Sequence, residues 1–176
     1  MTVDSLKDIS VRVNALISII TSYPVVMDII RENEAVFDYV SKRVLTNPLG
    51  LSLYRAFYPR ESKSVYMYFK ENVTAYDVSC SRMIYETVKE SEDFDLPEYI
   101  LIMVKMIPTY NGFDDADCFM SFFKEHLEEL SIEDIESVMK IYRSNGQCTN
   151  RARNDDDVAE IKKYLDEHTP ETDDSE

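Results

Sequence analysis

The stretch DLPEYILIMVKMIP, residues 95–108, contains the beginning, the apolar face and the end of one helix. Asp95 is followed three residues later by Glu98, a spacing typical of a capping box, in which the cap's side chain accepts from a free backbone N–H. Apolar residues then recur at helical spacing until a proline ends the segment: Ile100, Met103, Val104, Ile107 and Pro108. The pattern predicts an amphipathic helix whose apolar face other elements must cover.

Similar spacing precedes this segment. It predicts a first helix over residues 5–21 and a second that begins near Pro24, because proline suits the first turn of a helix. Asn33 could cap a further helix, so residues 24–45 form either two helices or one kinked helix. Residues 47–50, Asn-Pro-Leu-Gly, predict a turn because proline fixes one φ and glycine permits another.

A short helix is expected after that turn, closing at residues 59–62. In residues 64–69, β-branched and aromatic side chains cluster, so a strand competes with a helix there. The recurrence of Val65, Phe69 and Val73 every four residues favours the helix. The next helix is predicted from about Ala75 to Lys89, and it is expected to bury Tyr76, Cys80, Met83, Ile84 and Val88.

Three further helices are predicted after residue 112. The first is expected to bury Phe119, Met120, Phe123, Leu127 and Leu130; the second, capped by Ser131, to bury Ile135, Val138, Met139 and Tyr142. The last, capped by Asn154 or Asp155, is expected to have Val158, Ile161, Leu165 and His168 on the apolar face that packs against other helices. The prediction is therefore one all-α domain of eight or nine short helices over residues 1–168, with a disordered acidic tail at 169–176.

Composition excludes several classes of function. Only three glycines occur and they lie far apart, so Gly-rich phosphate loops are absent from the sequence. Residues 1–70 hold 9 Lys and Arg against 7 Asp and Glu, while residues 71–176 hold 10 against 27. Because so acidic a half repels phosphate backbones and anionic lipid surfaces, nucleic acid is disfavoured as a partner, no membrane is expected, and basic proteins fit better.

The cysteines and the N-terminus indicate the compartment. Cys80, Cys118 and Cys148 have no C-x-x-C spacing, and two histidines are too few for a typical zinc site. We therefore expect reduced thiols, no metal and no cofactor. The N-terminus lacks the pattern of a secretory signal, and the longest apolar run, residues 15–20, is too short to span a bilayer. A cytoplasmic protein is predicted, with the nucleus as the other possible address.

Two arrangements of the helices are compatible with the sequence. Residues 8–16, DISVRVNAL, resemble a HEAT-type repeat at its Asp, Val-Arg and Ala-Leu positions, which implies a stack of helical hairpins. The alternative is a compact bundle. A chain rich in Ile, Tyr and Asp, poor in Gly and without Trp is similar to the soluble Bcl-2-like immune modulators of large DNA viruses, although the Asn-Trp-Gly-Arg signature of the cellular family is absent. That resemblance implies a modulator of immunity or apoptosis.

No segment predicts catalysis. Asp114, Asp115 and Asp117 lack the spacing of an EF-hand, and carboxylates at a helix N-terminus are stabilised by the helix dipole. Cys118, next to Phe119, is expected to be a small buried apolar residue, and His126 to lie on the helix surface or be partly buried. We see no pair of titratable groups that predicts an enzyme or a small-molecule substrate.

An aromatic and basic cluster is the most informative candidate site. Tyrosine and arginine dominate protein-binding hot spots, although core packing is the commoner role for rings at such positions, because several of them follow the apolar helical spacing. The predicted partner-binding residues are Tyr54, Arg55, Tyr58, Arg60, Tyr66 and Tyr68. The sequence therefore favours a non-catalytic adaptor or regulatory module that binds a protein partner through a helical groove or aromatic surface. The alternatives are the viral Bcl-2-like modulator and an RNA-associated helical repeat, which would need a continuous basic face.

Overall fold

The computed structural model describes residues 3–107, 113–144 and 151–169, and their side chains over 11–107, 116–144 and 156–169. Within these ranges the chain forms ten α-helices and no strand, which confirms the all-α prediction. The helices are α1 Val3–Ser22, α2 Val26–Arg31, α3 Glu34–Leu45, α4 Tyr54–Phe57, α5 Val65–Glu71, α6 Ser81–Val88, α7 Leu96–Met106, α8 Phe113–Glu125, α9 Ile132–Ser144 and α10 Arg151–His168.

The residue contacts divide the chain into two compact units. The N-terminal unit consists of Met1–Tyr76 with Arg82–Phe94, and the C-terminal unit of Asp77–Ser81 with Asp95–Glu176. Each unit has its own buried apolar residues. The single domain over residues 1–168, and the choice between a hairpin stack and a bundle, stay predictions. The predicted tail lies, after Thr169, outside the described residues.

The first three helices of the N-terminal unit pack their apolar faces together. Ile17 and Ile20 of α1 belong to one buried cluster with residues of α2 and α3: Met27, Ile30, Val40, Val44 and Leu45. Between α2 and α3, the Asn33 side chain accepts a hydrogen bond from the Val36 backbone N–H at 3.1 Å. This cap starts a new helix, so residues 24–45 form two helices rather than one kinked helix.

The turn at 47–50 forms as the sequence predicts. The Asn47 side chain accepts from the backbone N–H of Leu49 at 3.0 Å, and the N–H of Gly50 donates to the Asn47 carbonyl at 2.9 Å. Glycine is required at position 50 for space, because an added Cβ would overlap the carbonyl oxygen of Val44. The turn therefore lies directly against the last turn of α3.

Aromatic side chains form the rest of the N-terminal core. Tyr54 and Phe57 of α4 and Tyr66 and Phe69 of α5 are all buried. Ser64 caps α5 by accepting from the Met67 N–H at 2.9 Å, and this local bond favours the helix over the competing strand. The helix predicted over residues 64–69 is therefore confirmed.

The helix predicted to start at Ala75 begins later, at Ser81. Tyr76 and Asp77 have extended backbones, and Asp77 accepts from the Ser79 N–H at 2.9 Å, which begins a separate turn, Val78–Cys80. Aspartate competes for nearby backbone donors in this way and interrupts helices. The set of residues predicted to be buried is accordingly only partly right: Tyr76, Ile84 and Val88 are buried, Cys80 is half-buried and Met83 is exposed.

The C-terminal unit is organised around α7, which buries Tyr99, Ile100, Met103 and Val104. Asp95 accepts from the Glu98 N–H at 2.7 Å, so the predicted cap is present. Helix α9 packs on α7, and α8 packs on the Val78–Cys80 turn. The four residues that α9 was predicted to bury are buried, and Ser131 caps this helix by accepting from the Asp134 N–H at 3.1 Å.

Three predictions for this unit were wrong. Cys118 is exposed, because Ala116, Phe119 and Met120 take the inward positions of α8. Helix α10 begins at Arg151, so Asn154 and Asp155 lie within it and do not cap it. His168 is exposed, whereas Ile161 is buried as expected. His126 is half-buried, as predicted, and packs against the Phe122 ring.

Substitution of Gly50 by alanine tests the close packing of the turn on α3. Because the new methyl group would meet backbone that cannot move aside, Gly50→Ala should lower the free energy of unfolding by about 1–3 kcal/mol. Urea unfolding followed by circular dichroism measures the change. Thr74→Ala, at an exposed position of the same unit, should remain within about 0.5 kcal/mol of wild type.

The cap of α7 gives a second stability test. Asp95→Ala removes the acceptor of the Glu98 N–H. It should lower the free energy of unfolding by about 1 kcal/mol, seen as a lower midpoint of urea unfolding. The matched variant Glu92→Ala changes an exposed carboxylate nearby in sequence and should leave the midpoint almost unchanged. Equal midpoints for the two variants would contradict a stabilising role for the cap.

Candidate interaction surface on the N-terminal unit

An open groove of about 470 Å³ lies on the N-terminal unit between α2, α3 and the residues after α4. We call it the aromatic groove. Its aromatic and proline side chains are Phe37, Phe57, Tyr58 and Pro59, and its charged side chains are Arg31, Glu34, Arg60 and Glu61.

Ring contacts fix the floor of the aromatic groove. The Phe37 ring lies 5.8 Å from Phe57 and 5.7 Å from Tyr58, the latter in an edge-to-face arrangement. Tyr58 in turn lies 5.5 Å from Tyr54, measured between ring centroids. Since aromatic rings attract one another in such tilted geometries, Tyr58 is held between a helix-α3 ring and a buried α4 ring. These contacts therefore fix the positions of the rings that form the floor.

Two arginines hold the backbone beside the groove. Arg31 donates to the Asp28 carboxylate at 3.1 Å and to the backbone carbonyl of Ala56, which ties the end of α2 to α4. Arg55 donates to the backbone carbonyl of Glu61 at 2.8 Å. These bonds fix both ends of the segment 57–61, and that segment supplies five of the eight lining residues.

The charges on the rim are only partly paired. Arg31 forms an ion pair with Asp28. Within the part of the chain that the structure describes, no ion pair involves Arg60, Glu34 or Glu61. The rim thus presents two carboxylates and one guanidinium that a partner could meet.

A second, smaller cavity of about 210 Å³ adjoins the aromatic groove, and we call it the tyrosine pocket. It is lined by Tyr54, Tyr58, Glu61, Lys63, Tyr68 and Glu71, so Tyr58 and Glu61 belong to both cavities. The Lys63 ammonium lies 2.6 Å from the Glu71 carboxylate, and this hydrogen bond raises the pKa of Lys63.

Two phenols of the N-terminal unit, those of Tyr68 in the tyrosine pocket and of Tyr76, are harder to ionise than free tyrosine. Burial raises the pKa of Tyr68, and the neighbouring Tyr58 and Tyr54 add to the increase. Burial also raises the pKa of Tyr76, whose hydroxyl donates to the Leu45 carbonyl. These groups are therefore neutral hydrogen-bonding phenols around neutral pH.

The structure separates the six predicted site residues. Tyr58 and Arg60 line the aromatic groove, while Tyr54 and Tyr68 join Tyr58 in the tyrosine pocket. Arg55 is exposed and lines another, polar cleft. Tyr66 is fully buried and packs against Phe94, so its ring belongs to the core. Whether the exposed members bind a partner stays a prediction.

The six predicted site residues do not include six others that line the groove: Arg31, Glu34, Phe37, Phe57, Pro59 and Glu61. Phe37 follows the apolar spacing of α3, which suggested only a core position. The contact between residues 31–37 and 57–61 forms only when α3 and α4 pack, and no local sequence signal marks it.

Exposed apolar side chains are concentrated on the same unit. Among the described residues, all the large apolar side chains that are exposed belong to the N-terminal unit: Val11, Ile19, Tyr23, Val25, Ile29, Val36, Tyr39, Leu49 and Met83. The sequence of this unit holds 11 Lys and Arg against 12 Asp and Glu, and that of the C-terminal unit 8 against 22. The apolar surface therefore coincides with the nearly neutral unit.

In the described ranges, no group of three or more His, Cys, Asp or Glu side chains is arranged to hold a metal ion. The side chains of Asp114 and Asp115 lie outside the description. None of the described helices has the length and apolar character needed to cross a membrane. The sequence matches no protein-family model, no curated protein and no solved structure.

The raised tyrosine pKa values predict how stability responds to alkaline pH. The folded state holds the phenol protons of Tyr68 and Tyr76 more tightly than the unfolded state does. Their contribution to the free energy of unfolding is therefore fully present below the unfolded pKa of 10.0 and is lost as pH rises above it. Tyr68→Phe should therefore make the loss of stability above pH 10 less steep, as measured by urea unfolding across that range. Tyr164→Phe is the control, since an identical change in slope for both variants would contradict the assignment to Tyr68.

Proposed function

We propose that this chain is a non-catalytic interaction module, of adaptor or regulatory type, that binds a segment of a partner protein in the aromatic groove. The observation that carries the proposal is the open floor of Phe37, Phe57, Tyr58 and Pro59, held by ring contacts and bordered by charged side chains. Binding alone would be its mechanism.

The composition of the groove suits a protein partner. Tyrosine and arginine are enriched among the residues that dominate binding energy, and such residues act best in pockets from which a partner excludes water. An apolar side chain seated on these rings would be stabilised by about 25 cal/mol for each Å² removed from water. Because the rings are already held in place, little ordering entropy would oppose binding.

The exposed apolar side chains of the N-terminal unit support the same proposal. Singly scattered apolar residues need no explanation, but pairs at helical spacing form local apolar ridges. Val25, which directly precedes α2, forms such a pair with Ile29 of α2, and Val36 forms one with Tyr39 of α3. They would extend the contact area beyond the groove itself.

The narrower alternatives have less support. A Bcl-2-like modulator would also seat a partner helix in an apolar groove, so the aromatic groove suits that class without distinguishing it. An RNA-associated repeat would need a basic face, whereas the unpaired rim charges are two carboxylates and one guanidinium. We therefore retain protein binding as the main proposal.

Affinity capture with matched variants tests this function. Tyr58→Ala removes a ring of the groove, and Tyr23→Ala removes an exposed ring that belongs neither to the groove nor to the two apolar pairs. Quantitative mass spectrometry should show a set of proteins, recovered with wild type and Tyr23→Ala, that falls at least severalfold with Tyr58→Ala.

A folding defect must be separated from a binding defect, because Tyr58 also packs on Phe37 and Tyr54. Pro59→Asp changes an exposed groove residue and serves as a second variant, with circular dichroism as the check on folding. Identical captured sets for wild type, Tyr58→Ala and Pro59→Asp would remove the proposal.

A further inference from the structure

The tyrosine pocket is lined by phenols that have no polar partner in the protein. Among the described residues, the hydroxyl groups of Tyr54, Tyr58 and Tyr68 form no hydrogen bond. Only 2 % of the Tyr54 surface is exposed. Yet no side-chain oxygen or nitrogen in the described ranges is both fully buried and without a partner. The Tyr54 hydroxyl must therefore open onto the pocket that this residue lines.

The charges that act on Tyr54 place its hydroxyl near two other groups of the pocket. Burial raises the pKa of Tyr54, the Glu61 carboxylate raises it further, and the Lys63 ammonium lowers it. The ring of Tyr54 lies 5.1 Å from that of Tyr68 and 5.5 Å from that of Tyr58, measured between centroids. Three hydroxyl groups thus surround one small cavity.

The charged groups of the pocket disfavour an ion of either sign. The carboxylates of Glu61 and Glu71 would repel an anion. A cation would be repelled by the Lys63 ammonium and by the Arg55 guanidinium, which lies 5.7 Å from the centroid of the Tyr54 ring. Lys63 and Glu71 already neutralise each other at 2.6 Å. Only an uncharged occupant avoids repulsion of both kinds.

A carboxamide matches the polar groups that remain. Its oxygen accepts hydrogen bonds from phenol hydroxyls, and its NH₂ group donates to a phenol oxygen or to the Glu61 carboxylate. The pocket volume of about 210 Å³ is below the range of about 300–1,000 Å³ that is typical of small-molecule sites. The pocket therefore suits a single side chain.

The tyrosine pocket and the aromatic groove share a wall. Tyr58 and Glu61 line both cavities, so little more than one ring and one carboxylate separates them. The groove is lined mainly by rings and proline, whereas the pocket is lined by hydroxyl and charged groups. A peptide segment with an apolar side chain in the groove can therefore place a neighbouring side chain in the pocket.

We propose that the tyrosine pocket holds the carboxamide of a glutamine or asparagine that closely follows the apolar side chain seated in the aromatic groove. The carboxamide oxygen accepts from the hydroxyls of Tyr54 and Tyr68, and its NH₂ group donates to Glu61. This inference rests on the proposed function and adds the side-chain class that the site selects in its partner.

Four synthetic peptides test the selected class. Each has a leucine anchor followed by two identical residues, which are glutamine, methionine, lysine or glutamate, with serines on both sides. Fluorescence anisotropy with the full chain should show the glutamine peptide binding roughly three- to tenfold more tightly than each of the others. The measurement is made at about 1 M salt, where a screening length of about 3 Å suppresses the attraction between the acidic chain and the lysine peptide.

Phenylalanine variants assign the preference to the hydroxyls. Tyr54→Phe/Tyr68→Phe removes two hydroxyls and keeps both rings. It should lower the affinity of the glutamine peptide to about that of the methionine peptide, whose own affinity should change much less. Tyr23→Phe alters an exposed ring that lines neither cavity, so it should keep the full preference.

Urea unfolding separates the loss of binding from a folding defect. Because the two hydroxyls have no protein partner, the midpoint of Tyr54→Phe/Tyr68→Phe at neutral pH should be no lower than that of wild type. Tyr76→Phe is the contrast, since the Tyr76 hydroxyl donates to the Leu45 carbonyl and its loss should lower the midpoint.

The outcomes separate this inference from the proposed function. Tighter binding of the methionine, lysine or glutamate peptide, no binding of any peptide, or a glutamine preference that survives in Tyr54→Phe/Tyr68→Phe overturns the inference. If the four peptides bind alike while Tyr58→Ala and Pro59→Asp lose captured proteins, the groove binds protein segments and only the carboxamide class is wrong. If those two variants capture the same proteins as wild type, both proposals fall.

Discussion

Burial of one apolar face holds each short helix of this chain in shape. Helices α2, α4 and α5 have six, four and seven residues, which is below the length at which an isolated helix is stable in water. In the N-terminal unit, buried rings supply much of this stabilisation: Tyr54 and Phe57 from α4, and Tyr66 and Phe69 from α5. The groove is a direct consequence, because burying Phe57 leaves the next residues, Tyr58 and Pro59, at the surface.

The same contacts make the groove rigid enough to bind. Tyr58 is packed between Phe37 and Tyr54, and the backbone around it is held by hydrogen bonds from Arg31 and Arg55. A partner would not have to order this segment, so more of the contact energy would appear as affinity. The stability of the unit and the proposed recognition would thus depend on one set of rings.

Features that depend on near neighbours in sequence could be predicted. The caps at Asn33, Asp95 and Ser131 formed as expected, because each side chain needs only a backbone N–H three residues away. Competition between local patterns was harder to judge, and Asp77 began a separate turn within a segment whose spacing predicted a helix.

At the site, composition identified Tyr58 and Arg60 but did not distinguish them from Tyr66, which α5 turns into the core. Arg31 and Phe37 join the groove only through the packing of α2 and α3 against α4, which local sequence does not encode.

The division of charge bears on which contacts the apolar surface can make. An exposed apolar surface on a nearly neutral unit would by itself also favour association between copies of the chain. Each copy carries a net charge of −15, so two copies repel each other at distances up to roughly the 8 Å screening length at physiological salt. The same negative field attracts a basic partner. A field of this sign therefore favours basic partners over acidic ones for the chain as a whole.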